Sequence, residues 1–177
     1  MVGFVRFCDR LSVACGVASG FLMIVSTLLV LAEIFVRSAF SKTLYITEEY
    51  SGYLVAAMTF LALAYTLKDK GHIRMTFLHT MAKGRAKVFV DIFAYSIGFV
   101  FCALLTYTAA DLFWDSVVTQ SRSMQISQTY LAIPQFFMPF GTLVMALQFA
   151  AEAARSMLLL RSGRVDDVEA ESTLLGR

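Results

Sequence analysis

Charged residues, prolines and glycines are scarce in this chain. Of its 177 residues, 16% are charged and 58% are hydrophobic, whereas an ordinary soluble domain carries about 25% charge. Two prolines and ten glycines leave little material for turns, which excludes a fold built of many short strands. The net charge is only +2, and no stretch predicts a basic face on a soluble fold. We therefore predict no nucleic-acid partner.

Residues that carry chemistry are also few. The three cysteines, Cys8, Cys15 and Cys102, are odd in number and form no C-x-x-C pair, so we interpret them as small apolar residues. The two histidines, His72 and His79, lie in one loop, where they cannot easily bracket a haem and where a metal pair is not favoured. The sequence contains no G-x-S-x-G, H-E-x-x-H or phosphate-binding glycine loop. We predict no enzymatic activity, no cofactor and no metal site.

Four long apolar runs dominate the chain. They cover residues 11–36, 47–67, 88–113 and 134–158, and each holds the roughly 20 residues that a helix needs to cross a bilayer. We therefore predict an all-α integral membrane protein with four transmembrane helices in one domain, residues 1–160. Residues 1–10 are expected to form a short head, and the polar residues 161–177 a mobile cytoplasmic tail.

The cations are unevenly distributed between the ends of these runs. Twelve of the fifteen Lys and Arg residues fall in the head, near the tail, or in the loop 68–87; the other three are Arg37, Lys42 and Arg122. Because cytoplasmic loops are enriched in Lys and Arg, we predict that both termini are cytoplasmic. Apolar residues recur at helical spacing within the loop 68–87. This pattern predicts a short amphipathic helix that lies in the membrane interface between the second and third spans.

Charged residues near the ends of the runs are the candidate functional residues. Glu33 and Arg37 lie four apart on one helix face, which predicts a local ion pair; the alternatives are a contact with a partner subunit or a coupling carboxylate. Thr47 is predicted to cap the second helix. Glu48 and Glu49 follow in its first turn, where the helix dipole favours negative charge.

The fourth run carries its own signals at each end. Pro134 suits the first turn of a helix, because its missing N–H has no intrahelical partner there. Pro139 is predicted to kink or loosen the first turns of the same helix. Towards the other end, Gln148, Glu152 and Arg155 interrupt the apolar run, and the spacing of Glu152 and Arg155 predicts an ion pair.

Short motifs along the chain resemble the small membrane subunit of tripartite ATP-independent periplasmic (TRAP) transporters, the DctQ-like proteins. In chain order they are Glu33–Arg37, Thr47–Tyr50, Gly71–Arg74, Ala132–Phe136 and Pro139–Gly141. Each motif is short, but together with four spans in this orientation they form a specific pattern. The resemblance covers roughly residues 10–155.

The resemblance implies a scaffold function in the bacterial inner membrane. Such subunits pair with a large multi-spanning permease subunit, a periplasmic binding protein delivers the substrate, commonly an organic acid, and a sodium or proton gradient drives uptake. This chain would then hold no substrate site. The candidate contacts with the large subunit or with membrane lipids are Glu33, Arg37, Glu48, Glu49, His72, Arg74 and Pro134. The alternatives are a self-sufficient small homo-oligomeric transporter that uses Glu33, and a membrane anchor of a redox enzyme.

Overall fold

Helices account for nearly all of the chain that the structure, a computed structural model, describes, which is residues 2–69 and 85–162. The helices are α1 (Val2–Phe40), α2 (Ile46–Lys68), α3 (Arg85–Val118), α4 (Ala132–Gln135) and α5 (Phe137–Ser162). Among these described residues, four segments are long and apolar enough to cross a membrane: 3–40, 46–68, 88–118 and 132–158. The prediction of an all-α protein with four such helices is therefore confirmed. The predicted interfacial helix in the loop 68–87 and nearly all of the predicted tail lie outside the described residues.

The first helix begins well before the expected boundary at residue 11. Residues 1–10 were expected to form a separate head, but α1 already starts at Val2. Val5 and Cys8 are buried against Ala151 on α5, and this packing stabilises two further turns. At its other end α1 closes at Phe40, and Ser41 follows with a left-handed backbone (φ 52°) that ends the helix.

The second helix starts without the predicted cap. Tyr45 occupies the N-cap position and makes no side-chain capping hydrogen bond, so the prediction that Thr47 caps α2 is wrong. Thr47 lies inside the helix and is buried. Its hydroxyl is directed instead at a carboxylate of α1, 3.4 Å from Glu33 Oε2. Because the connection from Ser41 to Tyr45 is short, this carboxylate lies close enough to accept hydrogen bonds at the start of α2.

The fourth membrane span is interrupted near its start. The short α4 contains Pro134, and α5 restarts at Phe137 after a break at Phe136. The cause is Pro139, which has no N–H for the carbonyl of Gln135 and whose ring would clash with that carbonyl. The backbone bridges the break through hydrogen bonds from Phe136 N to Ala132 O (3.1 Å) and from Phe140 N to Phe136 O (3.3 Å).

The last helix, α5, is the centre of the bundle. It packs against α1, α2 and α3, whereas α1 packs mainly on α2, and α3 mainly on α5. Cys15, Leu61, Ala64 and Val144 form a buried apolar core between α1, α2 and α5. The backbones of α2 and α5 approach closely at Gly141, where a Cβ would lie 2.4 Å from the carbonyl oxygen of Phe60.

Large apolar side chains cover the outside of the bundle. On α1 and α3 they form long exposed stripes, which include Val17, Phe21, Ile24, Leu28, Phe93, Ile97, Val100 and Leu104. In water such surfaces would drive aggregation. They are suited to contact with lipid acyl chains or with the apolar surface of another membrane protein.

Candidate functional site

The carboxylate of Glu33 joins the end of α1 to the start of α2. Its Oε1 accepts a hydrogen bond from Arg37 at 2.9 Å, so the predicted ion pair is present. Its Oε2 accepts the backbone N–H of Leu44 at 2.8 Å and faces the hydroxyl of Thr47 at 3.4 Å. A buried carboxylate near the membrane is costly unless donors surround it, and these three groups supply them.

Glu49, in the first turn of α2, is enclosed by hydroxyl groups. Its Oε1 accepts from the phenol of Tyr53 at 2.6 Å, and its Oε2 accepts from the hydroxyl of Ser127. Ser127 also contacts the hydroxyl of Thr129 at 2.9 Å, and Thr129 donates to the phenol of Tyr50 at 3.3 Å. Glu49 therefore does more than complement the helix dipole: it fastens the connection 119–131 to α2. We call this group the Glu49 cluster.

Gln148 is the centre of a polar network at the opposite end of the bundle. Its side chain is completely buried; Oε1 accepts from the hydroxyl of Ser12 at 2.8 Å, and Nε2 donates to Asp9 at 3.0 Å. Nε2 also lies 3.5 Å from Glu152 Oε1. Arg155 donates to both Asp9 and Glu152 at 2.8 Å, which confirms the predicted Glu152–Arg155 pair. This Gln148 network fixes the N-terminal part of α1 to the C-terminal part of α5.

The polar groups at the two ends are separated by about one bilayer. Asp9 and Glu33 are 24 positions apart on the single helix α1. At 1.5 Å per residue, they lie about 36 Å apart along the helix axis. The hydrocarbon region is about 30 Å thick, so a moderately tilted α1 places Glu33 near one membrane border and Asp9 near the other. Asp9 and Glu33 therefore meet their arginine partners near the borders instead of in the apolar middle.

The candidate residues from the sequence fall into four groups. Arg37 is 64% exposed in its side chain although it pairs with a carboxylate, and Glu48 is exposed on the first turn of α2. Pro134 is half-buried in α4. His72 and Arg74 lie outside the described residues. The two remaining candidates are the buried carboxylates described above, whose partners belong to this same chain.

Several residues of these clusters have no strong sequence signal. Asp9 falls in the predicted head and Ser12 in the first apolar run, and only their spacing of three places them on one helix face. Ser127 and Thr129 lie between the third and fourth apolar runs, where no motif marks them. Gln148 was noted as polar within an apolar run, which is the best signal available for a buried contact. Nothing in the local pattern indicates which distant residue each of them meets.

The arrangement favours holding helices together over chemistry on a substrate. The core between the two ends consists of apolar side chains from α1, α2 and α5. Within each of the two groups the polar side chains bond to one another: the Gln148 network joins α1 to α5, and the Glu49 cluster joins α2 to the connection 119–131. Within residues 2–69 and 85–162, no group of three or more His, Cys, Asp or Glu side chains is placed to hold a metal ion.

Comparison with known protein families identifies the family to which the chain belongs. The family model described as "Tripartite ATP-independent periplasmic transporters, DctQ component" matches residues 26–159. The match extends from the second half of α1 into the last turns of α5, and it includes both Glu33 and Gln148. No curated protein and no solved structure matches the chain. Since the matched region spans well over half of the sequence, and four apolar helices accompany it, the chain is a multi-pass membrane protein that belongs to the DctQ family, the small permease component of TRAP transporters.

Proposed function

We propose that this chain braces a large multi-spanning permease subunit during ion-gradient-driven uptake of an organic acid, a carboxylate, delivered by a periplasmic binding protein. The observation that carries the proposal is the family match across residues 26–159. In this proposal the substrate and ion sites belong to the large subunit. The chain itself catalyses no reaction.

The geometry supports a rigid brace. Near one membrane border the Gln148 network ties α1 to α5, near the other the Glu49 cluster ties the connection 119–131 to α2, and an apolar core lies between them. Such a bundle resists changes in the relative position of its helices, because any shift breaks buried polar contacts. A subunit that stays fixed while a neighbour moves needs this property.

We place the bundle in the bacterial inner membrane with both termini in the cytoplasm. In this orientation the Gln148 network lies at the cytoplasmic border and the Glu49 cluster at the periplasmic border. The support is the distribution of Lys and Arg along the sequence, since they concentrate in the head, the loop 68–87 and the tail. Cysteine labelling from each side of sealed vesicles, at Lys42 and at Arg164, tests this topology.

Among the candidate contacts, we assign direct roles to the exposed ones. Arg37 and Glu48 lie at the same end of the bundle, and both have exposed side chains that a neighbour can reach. Glu33 and Glu49 act indirectly in this proposal, because they shape the surface from which Arg37 and Glu48 project. His72, Arg74 and Pro134 remain candidate contacts with the large subunit or with lipid headgroups.

Co-purification tests the assignment of Arg37 and Glu48. We expect the double substitution Arg37→Ala and Glu48→Ala to reduce recovery of the large subunit from detergent extracts, while the helix content of the chain stays unchanged. Lys42→Ala is the matched control, because Lys42 is an exposed charge in the adjacent connection. Equal recovery with the double variant and the control would remove these residues from the interface.

Uptake measurements test the function itself. Cells that lack this chain are expected to lose accumulation of a panel of labelled mono- and dicarboxylates, and to regain it when the chain is restored. Replacing external sodium by choline, or adding a protonophore, identifies the driving ion. Uptake by the chain alone in liposomes would contradict the scaffold proposal and favour a self-sufficient transporter.

A further inference from the structure

The connection between α3 and α4 is folded as a small hairpin over the side of α2. Arg122 and Tyr130 form an antiparallel bridge at its base. Ser123 N bonds to Thr129 O at 2.9 Å, and Leu131 N bonds to Ser121 O at 3.1 Å. These bonds give residues 121–131, which we call the tip hairpin, a defined shape.

The tip hairpin exposes two large aliphatic side chains and partly buries three hydroxyl side chains. The hydroxyl residues Ser123, Ser127 and Thr129 are half-buried, and the last two belong to the Glu49 cluster. The aliphatic side chains of Met124 and Ile126 point outwards, with relative exposures of 106% and 77%. A loop in water normally hides its aliphatic side chains and presents its hydroxyls to solvent. Arg122, Gln125 and Gln128 are exposed beside Met124 and Ile126, so the outer face of the hairpin presents two aliphatic side chains among polar ones, a mixture suited to the border between acyl chains and headgroups.

The position of the hairpin agrees with contact to lipid. Ser127 is held against Glu49, the fourth residue of α2, so the hairpin lies beside the first turns of a membrane span. Exposed aromatic side chains surround this end of the bundle: Tyr45, Tyr50, Trp114 and Phe136. Trp and Tyr concentrate where the hydrocarbon meets the headgroups. The hairpin therefore lies at the depth of the headgroup–acyl boundary.

We propose that the tip hairpin is a membrane anchor: Met124 and Ile126 insert into the headgroup–acyl boundary of the leaflet at this end of the bundle. The chemistry recognised is the lipid surface itself. Arg122, the one charged residue in 121–131, lies at the base of the hairpin with its guanidinium 5.9 Å from the centre of the Tyr130 ring; its side chain is exposed, and we expect it to contact a lipid phosphate. The proposal goes beyond the scaffold function and does not depend on it.

The size of the exposed patch favours lipid over a protein partner. A stable protein interface buries about 800 Å² on each side, with roughly 20 residues or more. Two side chains on a narrow turn supply only a small part of that surface. Insertion into a bilayer needs no such area, because each CH₂ group that enters the acyl region contributes to binding on its own.

Tryptophan scanning in nanodiscs tests the anchor. The chain has one tryptophan, so Trp114→Phe gives a silent background into which Ile126→Trp, or the matched control Gln125→Trp, is introduced. The probe is phosphatidylcholine brominated near the top of its acyl chains. We expect stronger quenching and a blue-shifted emission at position 126, and weak quenching at position 125, whose exposed side chain is polar in the native protein. Equal quenching at the two positions would overturn the proposal.

A spin label gives a second measurement, because tryptophan itself favours membrane interfaces. Labels at Met124→Cys and Gln125→Cys are compared for accessibility to oxygen, which partitions into lipid, and to a water-soluble nickel complex. The native cysteines Cys8, Cys15 and Cys102 are buried and leave the new thiol as the accessible one. We expect position 124 to favour oxygen and position 125 to favour nickel. A label at 124 that favours nickel in the isolated chain, and is shielded only after a partner protein is added, would show a protein contact and refute the lipid anchor.

Discussion

The buried hydrogen bond between Ser12 and Gln148 predicts a measurable coupling between the first and last helices. Both side chains are fully buried, and Ser12 Oγ lies 2.8 Å from Gln148 Oε1. Ser12→Ala removes the donor. Gln148→Met removes the acceptor and keeps nearly the same volume, so the packing of α5 against α1 is preserved.

The magnitude follows from what each substitution breaks. Interhelical hydrogen bonds in membranes contribute about 0.6 kcal/mol on average and about 1.7 kcal/mol at most. We expect a coupling energy in this range for the pair. Gln148→Met alone should cost more than Ser12→Ala alone, because Gln148 also donates to Asp9 at 3.0 Å. Asp9 keeps its bond to Arg155 at 2.8 Å, which limits the additional loss.

The assay is a double-mutant cycle on unfolding in mixed micelles. Dodecyl sulfate is titrated into the purified chain, and helix content is followed by circular dichroism for the wild type, both single variants and the double variant. The control cycle combines Gln148→Met with Ser19→Ala, which removes a separate bond from α1 to the carbonyl of Met58 (2.8 Å). Distant pairs are additive within about 0.5 kcal/mol. A coupling for Ser12 and Gln148 no larger than that of the control would refute the central role of this network.

Three further predictions follow from other contacts. Gly141→Ala places a Cβ 2.4 Å from the carbonyl oxygen of Phe60 and should destabilise the bundle in the same unfolding assay by about 1–3 kcal/mol. The control Gly52→Ala, whose Cβ would have no neighbour within 4 Å, should be nearly neutral. Equal effects would refute the close approach of α2 and α5. Glu49→Gln should weaken the bond to Ser127 and speed hydrogen exchange at the amides of Ser123 and Leu131. Glu48→Gln, at an exposed position, is the control. Unchanged exchange in Glu49→Gln would show that Glu49 does not hold the tip hairpin. Glu33→Ala should speed hydrogen exchange at the amide of Leu44, because this amide bonds to Glu33 Oε2 at 2.8 Å. Arg37→Ala should leave that exchange rate unchanged. If Arg37→Ala sped exchange as much as Glu33→Ala, the ion pair, and not the bond from Leu44 to Glu33, would protect the amide.

The helices and the local ion pairs were predictable because they depend on neighbouring residues. A membrane helix satisfies its own backbone hydrogen bonds, so a long apolar run is sufficient to predict one. The pairs Glu33–Arg37 and Glu152–Arg155 follow from i,i+4 and i,i+3 spacing alone. The break before α5 follows from the missing N–H of Pro139.

The contacts between distant segments were not predictable from spacing. Ser12 and Gln148 are 136 positions apart, and Glu49 and Ser127 are 78 positions apart. Their partners depend on which helix faces meet, and one sequence does not specify this. Thr47 is an example: its residue type and its place before an apolar run are typical of an N-cap. In the structure it lies inside α2, and its hydroxyl faces Glu33 of α1.

The scaffold function requires this chain to work as one component of a larger membrane complex. A gentle detergent pull-down of the tagged chain from its native membranes, with mass spectrometry of the recovered proteins, tests this requirement. We expect recovery of a large multi-spanning protein in near-equal amount. Recovery of this chain alone, as a stable homo-oligomer, would contradict the scaffold function and favour a self-sufficient transporter.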